Sequence, residues 1–438
     1  MSEGALDNAL AAAVADAPLL RRIGRATEAI GTTIRAVGLN AHIGQTCEIR
    51  DRATNTVIQA EVIGLRGDTT LLMPLGPLAG LSIQCEVVPG PHRAEARVGD
   101  GLLGRVIDAQ GEPLDGLGPI AGELKPQPLY ADAPSPMARP VIRTVFSTGV
   151  RAIDGLLPVG RGQRMGIFSL PGVGKSALMG MLARHCAADV NVIALIGERG
   201  REVRDFIEGA VGPSGLARSV VVATTSDRPA MERVRAANLA TAVAERFRAD
   251  GRHVLLLMDS VTRFARALRE VGLAAGESPA RRGFPSSVFA ELPRLFERAG
   301  AVGAGSITAF YSVLMEDEDG DPIAEEVRSI LDGHIQLSRR LAEAGRYPAI
   351  DVSASVSRLT GRLAEPLQAV AALKIGAWLA KHQDIALLLQ TGDYKPGSDA
   401  DADQALARMP AIEAYLRQGQ DEGVTFAEAI AQLRDVAA

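Results

Sequence analysis

The residues SLPGVGKSA at positions 169–177 have the types and spacing of a phosphate-binding loop. Its two glycines permit a close approach of the backbone to a phosphate, and Lys175 can reach the β and γ oxygens of a nucleoside triphosphate. The hydroxyl of Ser176 is a suitable ligand for Mg²⁺. We therefore predict that a nucleotide is bound by Ser169, Leu170, Pro171, Gly172, Val173, Gly174, Lys175, Ser176 and Ala177.

The loop departs from the usual pattern at its first position, where Ser169 replaces glycine. This position mainly requires a small side chain, so the replacement still allows nucleotide binding. A rival interpretation takes GVGKSA as a dinucleotide-binding fingerprint, but Lys and Ser directly follow the second glycine and no such loop lies near the first strand. An ordinary turn between strand and helix is the other alternative.

Two carboxylates follow apolar runs further along the chain. Asp259 ends the run HVLLLMD, where a Walker B carboxylate would hold Mg²⁺ through water. Glu198 follows the run VIALIG, and we predict that it orients the water that attacks the γ-phosphate. The alternative interpretations are a simple strand end for Asp259 and a solvated charge cluster for Glu198. The predicted ATP-binding set also includes Arg199.

Strands and helices must bring these residues together. Between about residues 145 and 365, near-continuous apolar runs alternate with helical segments, which is typical of parallel strands buried on both faces. We predict a strand over 164–170 and a helix over 175–187, with the loop between them. The central region therefore has the pattern of a doubly wound α/β domain.

The flanking regions differ in pattern. Short β-type runs separated by Gly, Asn, Asp and Pro predict a small β-barrel over residues 24–95. A proline-rich passage then leads into the α/β domain, for which we predict the range 96–365. Helical periodicity predicts a C-terminal helical domain over 366–438, and residues 1–23 are predicted to form a weak helix or a loose arm.

Composition narrows the function class. The 47 basic and 52 acidic residues give a net charge of -5, which argues against binding to nucleic acid. The three cysteines are far apart, which argues against disulfides and zinc and favours a cytoplasmic location. The first residues lack the pattern of a secretory signal, and no apolar run is long enough to predict a membrane span.

Several long blocks resemble the catalytic subunits of F-type and V-type rotary ATPases, and more closely the type III secretion ATPases. These blocks are GQRMGIF, GVGKSALMGMLAR, VIALIGERGREVRDFIE, DSVTRFARALRE, RRGFPSSVFAELPRLFERAG and DPIAEEVRSILDGHIQLSR. The resemblance implies an α/β fold with an N-terminal β-barrel, a central RecA-like P-loop ATPase domain with a mostly parallel sheet, and a helical C-terminal domain. It also implies ATP as substrate, Mg²⁺ as cofactor and a homohexameric ring with ATP at the subunit boundaries.

The resemblance assigns two further residues in the block GRYPAIDVSASVSRL. Tyr347 matches the aromatic residue that stacks on adenine. Arg358 matches the arginine finger that a neighbouring subunit inserts, where a second cation would stabilise the transition state. With Lys175 and Glu198, Arg358 completes the predicted catalytic set, while Ser176 and Asp259 form the predicted metal set.

The resemblance also implies a location at the cytoplasmic face of the inner membrane. The implied partners are an export gate, chaperone–substrate complexes, a central stalk and peripheral regulators. Within the family, the tail LLLQTGDYKPGSDADADQALARMPAIEAYLRQGQDEG looks more like the virulence or symbiosis branch than the flagellar export branch. A Rho-like RNA motor and a ring subunit without catalytic activity remain as alternatives.

Overall fold

The computed structural model describes residues 22–82, 84–91, 93–315 and 320–438 of the chain. The predicted N-terminal arm therefore lies outside the described residues, except for Arg22 and Ile23. The chain divides into two compact units, one that ends at Ala94 and one that runs from Glu95 to Ala438.

The first unit is a closed β-barrel, as the sequence predicted. Its strands are β1 (Gly24–Ile30), β2 (Thr33–Val37), β3 (Thr46–Asp51), β4 (Thr56–Arg66), β5 (Thr69–Pro74) and β6 (Glu86–Pro89). They are joined by antiparallel pairing in the order β1-β2-β5-β4-β3-β6, and β6 returns to β1. Small aliphatic side chains and two cysteines fill the interior. The sequence GRATEAI of β1 carries a weak strand signal, because its buried positions hold the small residues Gly24 and Ala26.

The second unit contains the remaining strands that the structure describes. They are β7 (Glu95–Val98), β8 (Val106–Ile107), β9 (Lys125–Pro128), β10 (Val145–Phe146), β11 (Val159–Gly160), β12 (Arg164–Ser169), β13 (Val190–Glu198), β14 (Ser219–Thr225), β15 (His253–Asp259), β16 (Gly300–Val302), β17 (Gly305–Leu314), β18 (Gly333–Leu337) and β19 (Ile350–Ser357).

The helices of the second unit lie between these strands in the chain and after the last of them. In chain order they are α1 (Arg151–Leu156), α2 (Lys175–His185), α3 (Gly200–Asp205), α4 (Gly212–Leu216), α5 (Ala230–Ala249), α6 (Val261–Ala274), α7 (Ser286–Glu297), α8 (Pro322–Ile330), α9 (Arg339–Glu343), α10 (Thr360–Leu363), α11 (Pro366–Asp384), α12 (Ala386–Thr391), α13 (Ala400–Leu416) and α14 (Phe426–Ala437). A π-helical segment, Phe206–Val211, lies between α3 and α4, and short 3₁₀ turns occur at Asp100–Leu102 and Pro136–Ala138.

The central sheet has the strand order β19-β18-β12-β17-β15-β13-β14-β8, and β16 pairs with β17 outside this path. Its strands are parallel except β16 and β19, which run antiparallel to their neighbours. Strands β13 and β15 are almost entirely buried, as expected for parallel strands covered on both faces. The predicted α/β class with a mostly parallel sheet is confirmed.

The C-terminal helices pack on one another and on α1. Helix α11 contacts α13 and α14, and α14 also contacts α1. The side chain of Gln418 joins these elements, because it accepts a hydrogen bond from the N–H of Arg151 and donates to the carbonyl of Gly149 at 2.8 and 2.7 Å. The helical C-terminal region that the sequence predicted is therefore present and attached to the central α/β region.

Candidate functional site

The predicted phosphate loop lies at the carboxyl end of β12 and leads directly into α2. Gly174 has φ +92°, and a Cβ atom there would lie 3.2 Å from Cε1 of Tyr347. Glycine therefore lets the chain turn into the helix beside this ring. The N–H groups of the first helical turn have no partners within the helix, so they can receive an anion.

The other loop residues divide between the core and the surface. Ser169 and Val173 are buried, and Leu170 packs against the core. Pro171, Gly172 and Ser176 are exposed, while Gly174, Lys175 and Ala177 are half-buried. The buried hydroxyl of Ser169 has no hydrogen-bond partner. The exposed part of the loop therefore includes the Ser176 hydroxyl that the sequence predicted as a metal ligand.

Lys175 and Asp259 form an ion pair in this structure. Asp259 ends β15, and the pairing of Met258 with Tyr311 places it beside Ser312 on β17. The Ser312 hydroxyl donates to Oδ1 of Asp259 at 2.7 Å. The carboxylate is nearly inaccessible to solvent, so this hydroxyl and the ammonium group fix its position.

Glu198 lies at the end of β13, beyond Asp259. Leu195 is the residue that pairs with Asp259, so Glu198 is three residues, or about 10 Å, further along its strand. Burial and the negative charge of Asp259 raise the pKa of Glu198 to about 7. Its Oε1 atom is buried without a hydrogen-bond partner, although Nε of Arg263 lies 3.4 Å away. A carboxyl group with this pKa can exchange a proton near neutral pH.

Two residues predicted to contact the nucleotide, Tyr347 and Arg199, differ in their distance from the phosphate loop. The ring of Tyr347 is half-exposed and lies beside Gly174, next to the phosphate loop. Arg199 precedes α3, but its guanidinium is exposed and pairs with Glu202 at 3.2 Å. The structure therefore brings Tyr347 to the loop, and it shows no direct contact between Arg199 and the loop.

Arg358 lies at the end of the sheet opposite the phosphate loop, where the parallel strands begin. Strand β19 runs antiparallel to β18, and its residue Ser357 pairs with Gly333, the first residue of β18. The eight residues of β19 span about 26 Å, so they separate Arg358 from the end that carries the loop. Arg358 is exposed and donates to the carbonyl of Arg328 at 3.4 Å. It therefore cannot reach the phosphate loop of its own chain.

Sequence reasoning missed Ser312 and Arg263. Ser312 lies within the run GSITAFYSVL, which reads as a uniformly buried strand, and its role as a partner of Asp259 depends on strand order. Arg263 lies in the first turn of α6, four residues after Asp259, and this spacing was an available signal. Gly197 leaves room for it, since a Cβ atom there would lie 2.8 Å from Cδ of Arg263.

The donor set fits a bound Mg²⁺ together with phosphate and water. Ser176 and Asp259 offer hard oxygen ligands, and Oε1 of Glu198 is a buried oxygen that accepts no hydrogen bond and lies 3.4 Å from Nε of Arg263. Among the residues that the structure describes, no group of three or more His, Cys, Asp or Glu side chains could hold a metal ion. In a P-loop site, phosphate oxygens and water supply most of the ligands of Mg²⁺.

Comparison with protein families places these features in one class. The β-barrel domain of the ATP synthase alpha/beta family matches residues 26–89, and the nucleotide-binding domain of that family matches residues 149–357. The C-terminal domain of the type 3 secretion EscN ATPase matches residues 364–435. Fold and site thus define a nucleotide-binding protein of the ATP synthase alpha/beta class.

Similar proteins narrow this class further. A type 3 secretion system ATPase from Xanthomonas euvesicatoria is 54% identical over 92% of this chain and 91% of its own length. A flagellum-specific ATP synthase from Treponema pallidum is 48% identical over 94% and 93%. The structure of the assembled ATPase EscN from enteropathogenic E. coli matches with a TM-score of 0.89 and 44% identity, over 95% of this chain and all of that one. The chain belongs to the family of type 3 secretion system ATPases.

In the described part of the chain, none of the helices is sufficiently long and apolar to cross a bilayer.

Proposed function

We propose that the chain hydrolyses ATP with Mg²⁺ and works as one subunit of a homohexameric ring. The observation that carries this proposal is the division of the predicted catalytic groups between the two ends of the parallel strands. Lys175, Glu198 and Asp259 lie at the carboxyl end, and Arg358 lies at the amino end. Head-to-tail packing of identical subunits would bring these two ends together at every interface.

Each residue at the carboxyl end has a distinct role in this proposal. Lys175 moves from Asp259 to the β and γ oxygens when ATP binds, and the backbone N–H groups of the loop hold the phosphates. Ser176 and Asp259 would hold Mg²⁺, Asp259 through water, and the ion would neutralise part of the negative charge of the phosphates. Ser312 keeps the Asp259 carboxylate in place.

Glu198 acts as the group that orients water and accepts its proton. Its pKa of about 7 leaves a large ionised fraction at neutral pH, and its Oε1 is free to accept a hydrogen bond. Tyr347 stacks on adenine, and Arg199 contributes to nucleotide binding from the start of α3. Arg358 of the neighbouring subunit stabilises the negative charge that develops on the γ-phosphate.

Glu198→Gln tests the assignment of the water-orienting group. We expect hydrolysis to fall at least about a hundredfold, because the amide cannot accept a proton, while ATP affinity stays within about threefold. Steady-state phosphate release and fluorescent-nucleotide titration measure the two quantities. The control is Glu291→Gln, since Glu291 is a partly exposed residue of α7 that pairs with Arg294 on the same helix.

A Glu198→Gln chain that turns over ATP at the wild-type rate would contradict the proposed role. Absence of turnover in the wild-type ring would instead support a nucleotide-binding subunit without catalytic activity.

We also propose that hydrolysis drives protein export, through chaperone release and substrate unfolding, at the cytoplasmic face of the inner membrane. A solved structure of EscN in complex with its central stalk EscO matches this chain with a TM-score of 0.88 and 43% identity, and we propose an equivalent stalk here. The other proposed partners are peripheral regulators, chaperone–substrate complexes and an export gate. No nucleic acid is expected.

Virulence or symbiosis secretion is favoured over flagellar export. This proposal rests on two type 3 secretion system ATPases, from Xanthomonas euvesicatoria and Sinorhizobium fredii, that are 54% and 51% identical to the chain. The flagellar relatives are 46–49% identical, and the type 3 secretion system ATPase from Pseudomonas syringae is 47% identical. Deletion of the gene should abolish effector secretion and leave swimming motility intact. Loss of motility with normal effector secretion would assign the chain to the flagellar branch.

A further inference from the structure

A cavity opens beside the candidate ATP site. It has a volume of about 780 Å³, within the usual range for small-molecule sites. Its walls come from the segment around β8, from α3 with the π-helical segment, and from the end of β14. None of the residues 169–177 lines it, and neither Glu198 nor Asp259 does. The cavity is therefore separate from the nucleotide site.

The cavity walls are largely apolar. Val203, Ile207 and Leu216 line one side. Leu114 and Leu117 line another, and they are 56% and 70% exposed, so two large apolar side chains remain in contact with water. An occupant with an aliphatic portion would remove this surface from water, which is favourable at about 25 cal/mol per Å².

One end of the cavity carries an excess of negative charge. Asp108, Asp227 and Glu232 line it, and Arg228 is the cation that pairs with Glu232, at 2.8 Å. Burial raises the pKa of Glu232, and the charges of Asp108 and Asp227 raise it further, against the lowering effect of Arg228. The other arginine of the lining, Arg204, is already paired with Glu208 at 2.7 Å. A further cation would thus find uncompensated carboxylates here.

Two buried polar atoms in the same lining lack partners. Glu232 is 2% exposed and Thr224 is 3% exposed. Oε1 of Glu232 and Oγ1 of Thr224 have no hydrogen-bond partner, although Oε2 of Glu232 accepts from Arg228. A buried acceptor without a donor costs free energy, so a ligand that donates hydrogen bonds would be favoured at this end.

The geometry points to a binding site for an amphipathic organic cation, with an ammonium or guanidinium group at Glu232 and an aliphatic portion between the leucines and the π-helical segment. A bare metal ion would leave the apolar walls, including Leu114 and Leu117, in contact with water. Positive charge, several donors and an apolar stem together match the three properties of the cavity.

The site is positioned to regulate Glu198. Thr225 lines the cavity and pairs with Glu198 in the sheet, and the N–H of Ser226 donates to the carbonyl of Glu198 at 3.0 Å. Gly200 and Val203 of the following helix also line it. An occupant that shifts these residues shifts the carboxylate. This coupling rests on the proposed role of Glu198, whereas binding itself does not.

Calorimetric titration of the full chain with n-hexylguanidinium, in saturating ADP, tests the site. We expect one ligand per chain, and about tenfold weaker binding to Glu232→Gln and to Asp227→Asn. Asp227 is exposed, so this second variant leaves the test intact if the first fails to fold. Glu291→Gln, which removes the same charge on α7, should bind like the wild type, and n-hexanoate should not bind.

Several results would overturn the assignment. These are wild-type affinity in both the Glu232 and the Asp227 variant, binding of n-hexanoate as tight as that of n-hexylguanidinium, or competition by ADP. Loss of binding when chains assemble into rings would also overturn it, because a second copy would then fill the cavity. Hydrolysis at saturating n-hexylguanidinium should change at least twofold in the wild type and remain constant in Glu232→Gln. Binding without a change in turnover would overturn the coupling to Glu198 and leave ATP hydrolysis itself unaffected.

Discussion

At the scale of single residues, Glu198 combines two properties that favour catalysis over stability. Its side chain is nearly buried, and one oxygen lacks a hydrogen-bond donor. Burial and the negative charge of Asp259 hold its pKa at about 7, above the ordinary value of 4.5. Ionised Glu198 therefore destabilises the folded protein without ligand, as is common for groups at functional sites.

Replacement of Glu198 by glutamine should change stability in a pH-dependent manner. The pKa of Glu198 is higher in the folded protein than in the unfolded chain. The wild-type protein therefore keeps its full stability below about pH 4.5 and loses part of it as the pH rises to about 7. At pH 8 the variant should therefore be more stable than the wild type by up to about 3 kcal/mol, and the difference should vanish near pH 4.5. Trp378, the only tryptophan, reports unfolding of the second unit in urea.

The stability of the wild type is measured at each pH as the reference for the variant. Glu291→Gln controls for the loss of one negative charge elsewhere on the chain. A stability difference that is constant with pH, or one that is larger in acid, would contradict the raised pKa of Glu198.

Sequence reasoning at this scale found the residues that follow recognisable runs. Lys175 and Asp259 were identified because a glycine-rich loop and an apolar run mark their positions, and the structure places them in contact. Ser312 could not be identified in this way. Its contact with Asp259 arises from the adjacency of β15 and β17, which are separated in the chain by two helices and β16.

At the scale of elements, apolar patterning predicted the central strands better than the edge strands. Strands β12, β13, β14, β15 and β17 are continuous apolar runs, because both faces of each are covered. Strand β19 has several half-buried or exposed positions and lies at the sheet edge, so its sequence carries a weaker signal. The same weakness applies to β1 in the barrel.

Close packing of α1 against the C-terminal helices provides a test at this scale. A Cβ atom on Gly155 would lie 2.0 Å from the hydroxyl oxygen of Tyr415, which is within hydrogen-bond distance of the carbonyls of Arg151 and Ala429. We expect Gly155→Ala to destabilise the second unit by about 1–3 kcal/mol, since the buried ring has little room to move. Urea denaturation followed by circular dichroism measures the change.

Gly376 offers a matched control on α11. It is exposed, and a Cβ atom there would have no neighbour within 4 Å. Gly376→Ala should be neutral or stabilising by up to about 1 kcal/mol, because alanine favours the helix. Equal stability of the two alanine variants would show that α1 is not held closely against Tyr415.

At the scale of the whole molecule, the position of Arg358 gives the most information. Resemblance to known ATPases identified this arginine, but no feature of the sequence places it at the end of the sheet opposite the phosphate loop. Strand β19 begins near Tyr347, beside the phosphate loop, and ends next to Arg358 at the other end of the sheet. In the proposed ring, each chain would contribute the phosphate loop to one site and Arg358 to the next.

Subunit mixing tests the central proposal, that Arg358 acts in the site of the neighbouring subunit. Lys175→Ala and Arg358→Ala should each abolish hydrolysis alone. When the two variants are co-expressed, the intact loop of one meets the intact arginine of the other at about a quarter of the interfaces of a random ring, so activity should return. Co-expression of either variant with the double variant should give no activity. Mixed rings that remain as inactive as the single variants would contradict a shared site.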